Sequence, residues 1–294
     1  MVKCTVNVPA TTANLGPGFD SVGCAFALYN TITFELTENG LAFNGCDIAY
    51  ANEDNLAFVS FKAVYTYLKK QLPGCNISFD SIKVPLSRGL GSSAALIVAG
   101  AVAANFLSGN TLSKEEILKI CNDIEGHPDN LSPAIYGGLT ASMVADGVPV
   151  SVSFEIHPLL RFVALIPDFE LLTKEARSVL PKKIDFSDAV FNASHLAVLL
   201  KALEKGEKQI ISLALDDKLH QPYRKHLIKG YEVAEKIAKD LSCIAFCISG
   251  AGPTCLCITD STDFADKMRE NLHKEDLNWQ VIPLEIDRKG AHIV

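Results

Sequence analysis

In the first third of the chain, apolar side chains recur at every second position, the period of a half-buried strand. Lys3 to Val8 alternates in this way and is expected to end at Pro9; Cys24 to Leu36 and Leu41 to Ile48 read as further strands. From Asn55 the period becomes helical: Leu56, Val59, Ala63, Val64, Tyr67 and Leu68 share one face, and Pro73-Gly74 ends the run. Ile77, Phe79, Ile82 and Val84 form a strand with a bulge between Phe79 and Ile82. Ala94 to Leu107 is apolar all round and alanine-rich, as a buried central helix should be. Ser113-Lys-Glu-Glu116 is a capping box opening a helix to about Glu125, broken by Gly126-His-Pro-Asp-Asn130. Leu139–Ala145 and Val148–Ile156 flank Asp146-Gly147, a hairpin signal.

A second cycle follows His157-Pro158, so the expected domains are 1–157 and 158–294. It contains a strand at Arg161–Ile166 and helices at Thr173–Leu180, Asp188–Lys205 and Tyr223–Asp240. Strands Cys243–Ser249 and Thr254–Thr259 flank a second glycine turn, Gly250-Ala-Gly252-Pro253. A helix near Asp263–Leu272 and a strand at Trp279–Ile286 come last. Strands and helices mixed with antiparallel hairpins predict an α+β fold.

Composition narrows the function classes. At 294 residues, 48% of them hydrophobic, the chain can bury two substantial cores. No stretch reaches the roughly 18 apolar residues of a membrane span, and the opening Met1–Val8 reads as a strand and not as a leader. The net charge is −7 with dispersed basic residues, which argues against a nucleic-acid surface but not against a small anion. Nine cysteines without a leader suit reduced thiols in the cytoplasm. Cys243, Cys247, Cys255 and Cys257 are either a metal set or buried strand thiols; their spacing fits no familiar zinc pattern, and apolar neighbours interleave with them.

The candidate chemistry centres on Pro85-Leu86-Ser87-Arg88-Gly89-Leu90-Gly91-Ser92-Ser93-Ala94-Ala95. Glycines let the backbone approach a ligand closely, and Ser92 or Ser93 is expected to N-cap the helix. A helix N-terminus offers unpaired amides and partial positive charge, a cradle for phosphate. Gly89 to Ala94 also fits a dinucleotide fingerprint, G-x-G-x-x-A. The strand feeding it carries Asp80, Ser81 and Lys83 and ends at Pro85, and another helix follows Leu107 where a crossover strand is due. Both features weaken the dinucleotide alternative.

Three motifs stand in order: Pro9-Ala-Thr-Thr-Ala-Asn-Leu-Gly-Pro-Gly-Phe-Asp20, the Pro85–Ala95 loop and Ile248-Ser-Gly-Ala-Gly-Pro-Thr254. Supporting them are Glu125-Gly-His-Pro-Asp-Asn130, Thr173-Lys-Glu-Ala-Arg177 and His220-Gln-Pro-Tyr-Arg224. Together they resemble the GHMP kinase superfamily, and within it the branch that phosphorylates the side-chain hydroxyl of L-homoserine. The resemblance implies an N-terminal domain like ribosomal protein S5 domain 2, a ferredoxin-like C-terminal domain, ATP and Mg²⁺, and a homodimer. It places the triphosphate on residues 85–95, with Asn55 either at the adenine or simply a helix cap. It assigns Mg²⁺ to Ser92 and an acid, Glu125 or its rival Asp123. It gives Asp20 the substrate ammonium, Arg177 and Arg224 the carboxylate, and Asn14 the region of the hydroxyl, with His127, Asn130 and Thr173 lining the cleft. Arginine's rigid fork suits a carboxylate. Other members phosphorylate mevalonate or sugars; the two arginines and the Asp20 loop argue for an amino acid. No residue stands out as an obligate base.

Overall fold

The computed structural model describes residues 2–294. β1 (Lys3–Ala13) and β2 (Val22–Thr37) form a long antiparallel pair. β1 runs past Pro9, where the expected strand ended, because Pro9 falls at a register shift that tolerates a residue without an N–H. The extension holds Thr11, Thr12 and Ala13 in the sheet, so the Asn14–Asp20 loop leaves from a rigid strand. β3 (Leu41–Asn44), α1 (Leu56–Tyr67), β4 (Gly74–Ser81) and α2 (Ser92–Leu107) follow. Then come α3 (Lys114–Glu125), α4 (Leu131–Tyr136), β5 (Leu139–Ala145) and β6 (Val148–Phe154).

The sheet order is β4 beside β2 and β3 beside β4, with β5 and β6 added on the other half of β2. The expected bulge is present, opposite Thr31 and Ile32. The β5–β6 turn has Asp146 and Gly147 both at positive φ, as a type I′ turn requires. The Ser113–Glu116 capping box is closed in both directions. α2 is the buried spine of this half. A side chain at Gly100 would overlap Ala57 O and Ser60 Oγ, so glycine is what lets α1 lie against α2. The chain leaves α2 for α3 and never returns as a parallel strand beside β4, which removes the crossover a dinucleotide fold needs.

The second half begins with β7 (Arg161–Ile166), α5 (Thr173–Ser178), α6 (Phe186–Lys205) and α7 (Lys208–Ala214). The helix expected over Tyr223–Asp240 is broken into α8 (Gln221–Arg224), a 3₁₀ turn and α9 (Tyr231–Asp240), because Gly230 takes φ 90° between them. β8 (Ala245–Ile248), β9 (Cys255–Thr259), α10 (Phe264–Lys274) and β10 (Gln280–Leu284) complete a sheet of order β10-β7-β9-β8. Its chain order of strand, helix, strand, strand, helix, strand is ferredoxin-like. β11 (His292–Ile293) crosses back to pair with β1.

Cys247, Cys255 and Cys257 are core residues of β8 and β9, and burial pushes the Cys247 thiol up to about 12. One buried apolar cluster runs from Ala10, Leu15 and Phe26 to Phe162, Leu199 and Leu256, joining the two sheets. The cleft described next is therefore bounded by two packed halves with a common core.

Candidate active site

α2 begins at Gly91, which is left-handed at φ 70° and provides no side-chain cap. Ser92 and Ser93, the expected caps, instead occupy the first turn. An uncapped N-terminus leaves its amides open toward the cleft, with the helix dipole behind them. A β-carbon at Gly91 would overlap the Thr11 hydroxyl, which donates to Asn130 Oδ1 at 2.8 Å. The loop is clamped by the second glycine turn: Ser249 Oγ donates to Gly89 O at 2.6 Å, and Thr254 N to Arg88 O at 3.2 Å. Arg88 points its guanidinium at Asp168 O and Glu170, so it serves the loop through its backbone.

α3 ends in this cleft. Ser93 Oγ donates to Glu125 Oε2 at 2.8 Å, so the hydroxyl on the carboxylate is Ser93 and not its neighbour Ser92. Glu125 lines the cleft, whereas Asp123 is exposed on the outside of the helix. After Gly126 the chain turns back: His127 Nδ1 sits 2.9 Å from Asp129 Oδ1, and Asn130 N donates to the same oxygen. Asp129 is 1% exposed. Its hydrogen bond and charge hold His127 above the ordinary histidine value against the opposing effect of burial.

The Asn14–Asp20 loop forms the opposite wall. Asn14, at φ 54°, accepts from Asp20 N at 2.8 Å, which leaves its Nδ2 for a ligand. Arg177 grips Asp20 with both prongs, Nη1 to Oδ2 at 2.9 Å and Nη2 to Oδ1 at 2.6 Å. Arg224 is wholly buried, donating from Nε to Ala176 O at 3.2 Å and from Nη1 to Gly250 O at 3.1 Å. Burial first, and then the charge of Arg177, pull Arg224 down to about 10.

His220 lies behind them, with Nε2 2.9 Å from Gly16 O and Nδ1 3.5 Å from Arg224 Nη1. A carbonyl only accepts and a guanidinium only donates, so this ring is the neutral tautomer protonated on Nε2. Burial lowers its pKa in agreement. Asp217, buried, accepts from Asn192 Nδ2, His220 N and Gln221 N at 2.7–2.9 Å, and so anchors the start of α8 that presents Arg224.

Beside the N-terminus of α2 a second cavity of about 620 Å³ opens between Tyr50, Asn52, Phe79, Ile82 and Leu86. Ser87, Ser92 and Ser93 line both this cavity and the polar cleft, so a ligand passing between them runs across the helix N-terminus. Asn55 borders it and also caps α1: Oδ1 accepts from Ala57 N at 3.1 Å and Nδ2 donates to Tyr50 O at 2.9 Å.

Asn14, Glu125, His127, Asn130, Thr173, Arg177 and Arg224 thus line one cleft with Gly89, Gly91, Ser92, Ser93 and Ala94, and Asp20 is tied to it by Arg177. Leu90 and Ala95 are wholly buried and back the loop, and Pro85, half-buried, leads into it. Sequence reading missed Ser93 as the partner of Glu125, and it missed Asp129, Phe19 and Asp217. Asp129 and Phe19 sit inside motifs already marked, which was their only signal; nothing local distinguishes Asp217 from its neighbour Asp216.

Both halves of the chain match known families. Residues 55–138 match the family described as GHMP kinases N terminal domain, and residues 199–277 match GHMP kinases C terminal. The chain is 40% identical over 292 residues to the homoserine kinase of Clostridium beijerinckii, covering 99% of this chain and 98% of that protein. It is 41% identical over 288 residues to the homoserine kinase of Clostridium botulinum strain Okra, covering 97% of each. The crystal structure of homoserine kinase from Cytophaga hutchinsonii superposes with a TM-score of 0.90 at 28% identity, over 99% of this chain and 97% of that one. L. major mevalonate kinase in complex with R-mevalonate superposes at 0.72 with 15% identity, over 98% and 96%, a likeness of fold.

Proposed function

The chain belongs to the GHMP kinase family, and we propose that within it the chain works as a homoserine kinase, passing the γ-phosphoryl group of ATP to the side-chain hydroxyl of L-homoserine, a step toward threonine. One observation carries the assignment of the site. The open N-terminus of α2, the Ser93–Glu125 pair, and Asp20 with Arg177 and Arg224 converge on a single cleft.

Phosphoryl transfer needs positioning and charge neutralisation more than covalent help. The α2 amides and the 85–95 loop hold the triphosphate, and the cavity beside Tyr50 takes the base. A hydroxyl 2.8 Å from a carboxylate is a hard-oxygen donor set that fits Mg²⁺, which takes few protein ligands and keeps waters. Glu125 with Ser93 or Ser92 would hold it; once bound, it neutralises charge on the phosphates. In the free enzyme Asp20 and Arg177 satisfy one another. Homoserine carries its ammonium and carboxylate on one carbon, so it can replace that pair, the ammonium on Asp20 and the carboxylate on Arg177 and Arg224. Asn14 Nδ2, with His127, Asn130 and Thr173, then positions the rest of the substrate. Asp20, occupied by the ammonium, is not the base; the hydroxyl proton leaves through phosphate or water. The nine free thiols are in keeping with a reducing cytoplasm, and a homodimer is part of the proposal, read out as a mass twice 31.8 kDa by light scattering.

ADP release with Mg·ATP and a panel of homoserine, mevalonate, shikimate and galactose tests the assignment. Turnover is expected with homoserine; none above background with homoserine overturns it.

A further inference from the structure

Phe19, next to Asp20 in the loop that walls the cleft, turns an aromatic ring toward both arginines. Three planar groups gather on its ring. His220 stacks at 5.3 Å with 24° between planes, Arg177 Cζ lies 5.5 Å from the ring centroid, and Arg224 Cζ lies 5.1 Å from it. The two guanidinia are like charges held near one another without a shared carboxylate: Asp20 pairs with Arg177 alone, and Arg224 bonds to the carbonyls of Ala176 and Gly250. An aromatic face carries negative charge density that attracts both cations, and its flat surface fixes the planes of the forks, which a flexible aliphatic side chain does not. Phe19 itself is locked by its place in the loop. His220, which stacks on it, also bonds to Gly16 O, and Asn192 Nδ2 donates to Pro17 O at 3.3 Å.

From this geometry we infer that Phe19 is a positioning residue for the substrate carboxylate: its ring holds Arg177 and Arg224 together as one two-armed clamp. The inference rests on the homoserine kinase reading and deepens it. Phe19 touches no reacting atom and acts only through the two arginines. Its loss should weaken substrates that carry the carboxylate and spare those that do not.

The experiment compares wild type, Phe19→Leu and Phe19→Tyr, each first checked for folding by its thermal transition. Kinetics are measured with L-homoserine and with 3-aminopropan-1-ol, the same amino alcohol without the carboxylate. Phe19→Leu is expected to raise KM for homoserine about tenfold, equivalent to about 1.4 kcal/mol, with kcat and KM for ATP within threefold of wild type. Its kcat/KM for the aminopropanol should be unchanged, and Phe19→Tyr, which keeps the ring, should lie within threefold of wild type throughout. The inference is overturned if Leu performs as well as Tyr, if both substrates lose equally, or if kcat falls with KM unchanged. Wild type failing to turn over homoserine would instead overturn the underlying function. If Phe19→Leu does not fold, Phe19→Tyr and Phe19→Met carry the same comparison, and equal behaviour of those two overturns the inference.

Discussion

Replacing Asp20 by Asn separates a binding carboxylate from a catalytic one. The change is isosteric and removes one charge from a group that both arms of Arg177 hold in the free enzyme. A hydrogen bond to a charged partner contributes about 1.5–3 kcal/mol and a neutral one about 0.5–1.5, so the substrate ammonium loses about 1–1.5 kcal/mol. A compensating gain comes from Arg177, which no longer has to be parted from Asp20. With the two side chains 37% and 34% exposed, that pair contributes at most about 1 kcal/mol. The net penalty is therefore about 0–1.5 kcal/mol, so KM for homoserine rises by at most about twelvefold with kcat little changed. A general base contributes about 10²- to 10⁴-fold, so the two roles differ by more than an order of magnitude in different parameters. Coupled ADP-release kinetics with homoserine and ATP varied independently, alongside calorimetric binding of homoserine, measure both. A kcat reduced a hundredfold or more with KM unchanged would refute the binding role and make Asp20 the base.

Further outcomes follow from the same geometry. Glu125→Gln keeps the bond from Ser93 but removes the charge proposed for the metal. It should lower kcat at least a hundredfold and raise the Mg²⁺ concentration for half-maximal rate, with the thermal transition within a few degrees of wild type. Gly91→Ala forces a side chain into the left-handed region, at about 1–2 kcal/mol, and onto the Thr11 hydroxyl; KM for ATP should rise more than KM for homoserine. His220 is buried and held neutral, its folded pKa lying below the ordinary value of about 6.5. Below that value the unfolded chain binds more protons than the folded one, so stability falls as pH drops through it. Thermal transitions between pH 7.5 and pH 5 should show this slope in wild type and a shallower one in His220→Gln; equal slopes would exclude His220 as its source.

Local sequence determined the parts whose cause is local. The capping box at Ser113, the type I′ turn at Asp146-Gly147, the bulge after Phe79 and the buried alanine helix depend on neighbours within a few residues, and each lies where its pattern put it. The motif resemblance likewise brought the cleft residues together before any coordinates, because residue order within a motif carries over with its fold. Partnership was decided elsewhere. Whether Ser92 or Ser93 meets Glu125 depends on the rotation of α2 against α3, which the spacing along the chain does not show. Asn55 on its own is open between a helix cap and a ligand contact; the fold makes it the cap of α1 and sets it at the edge of the cavity beside Tyr50. Asp20 and Arg177, 157 positions apart, find each other only because a common core holds the two halves face to face. The same packing places Phe19 beneath two arginines. Short-range periodicity and turn chemistry are written along the chain; which charges meet is fixed only when separate elements bury their apolar faces against each other.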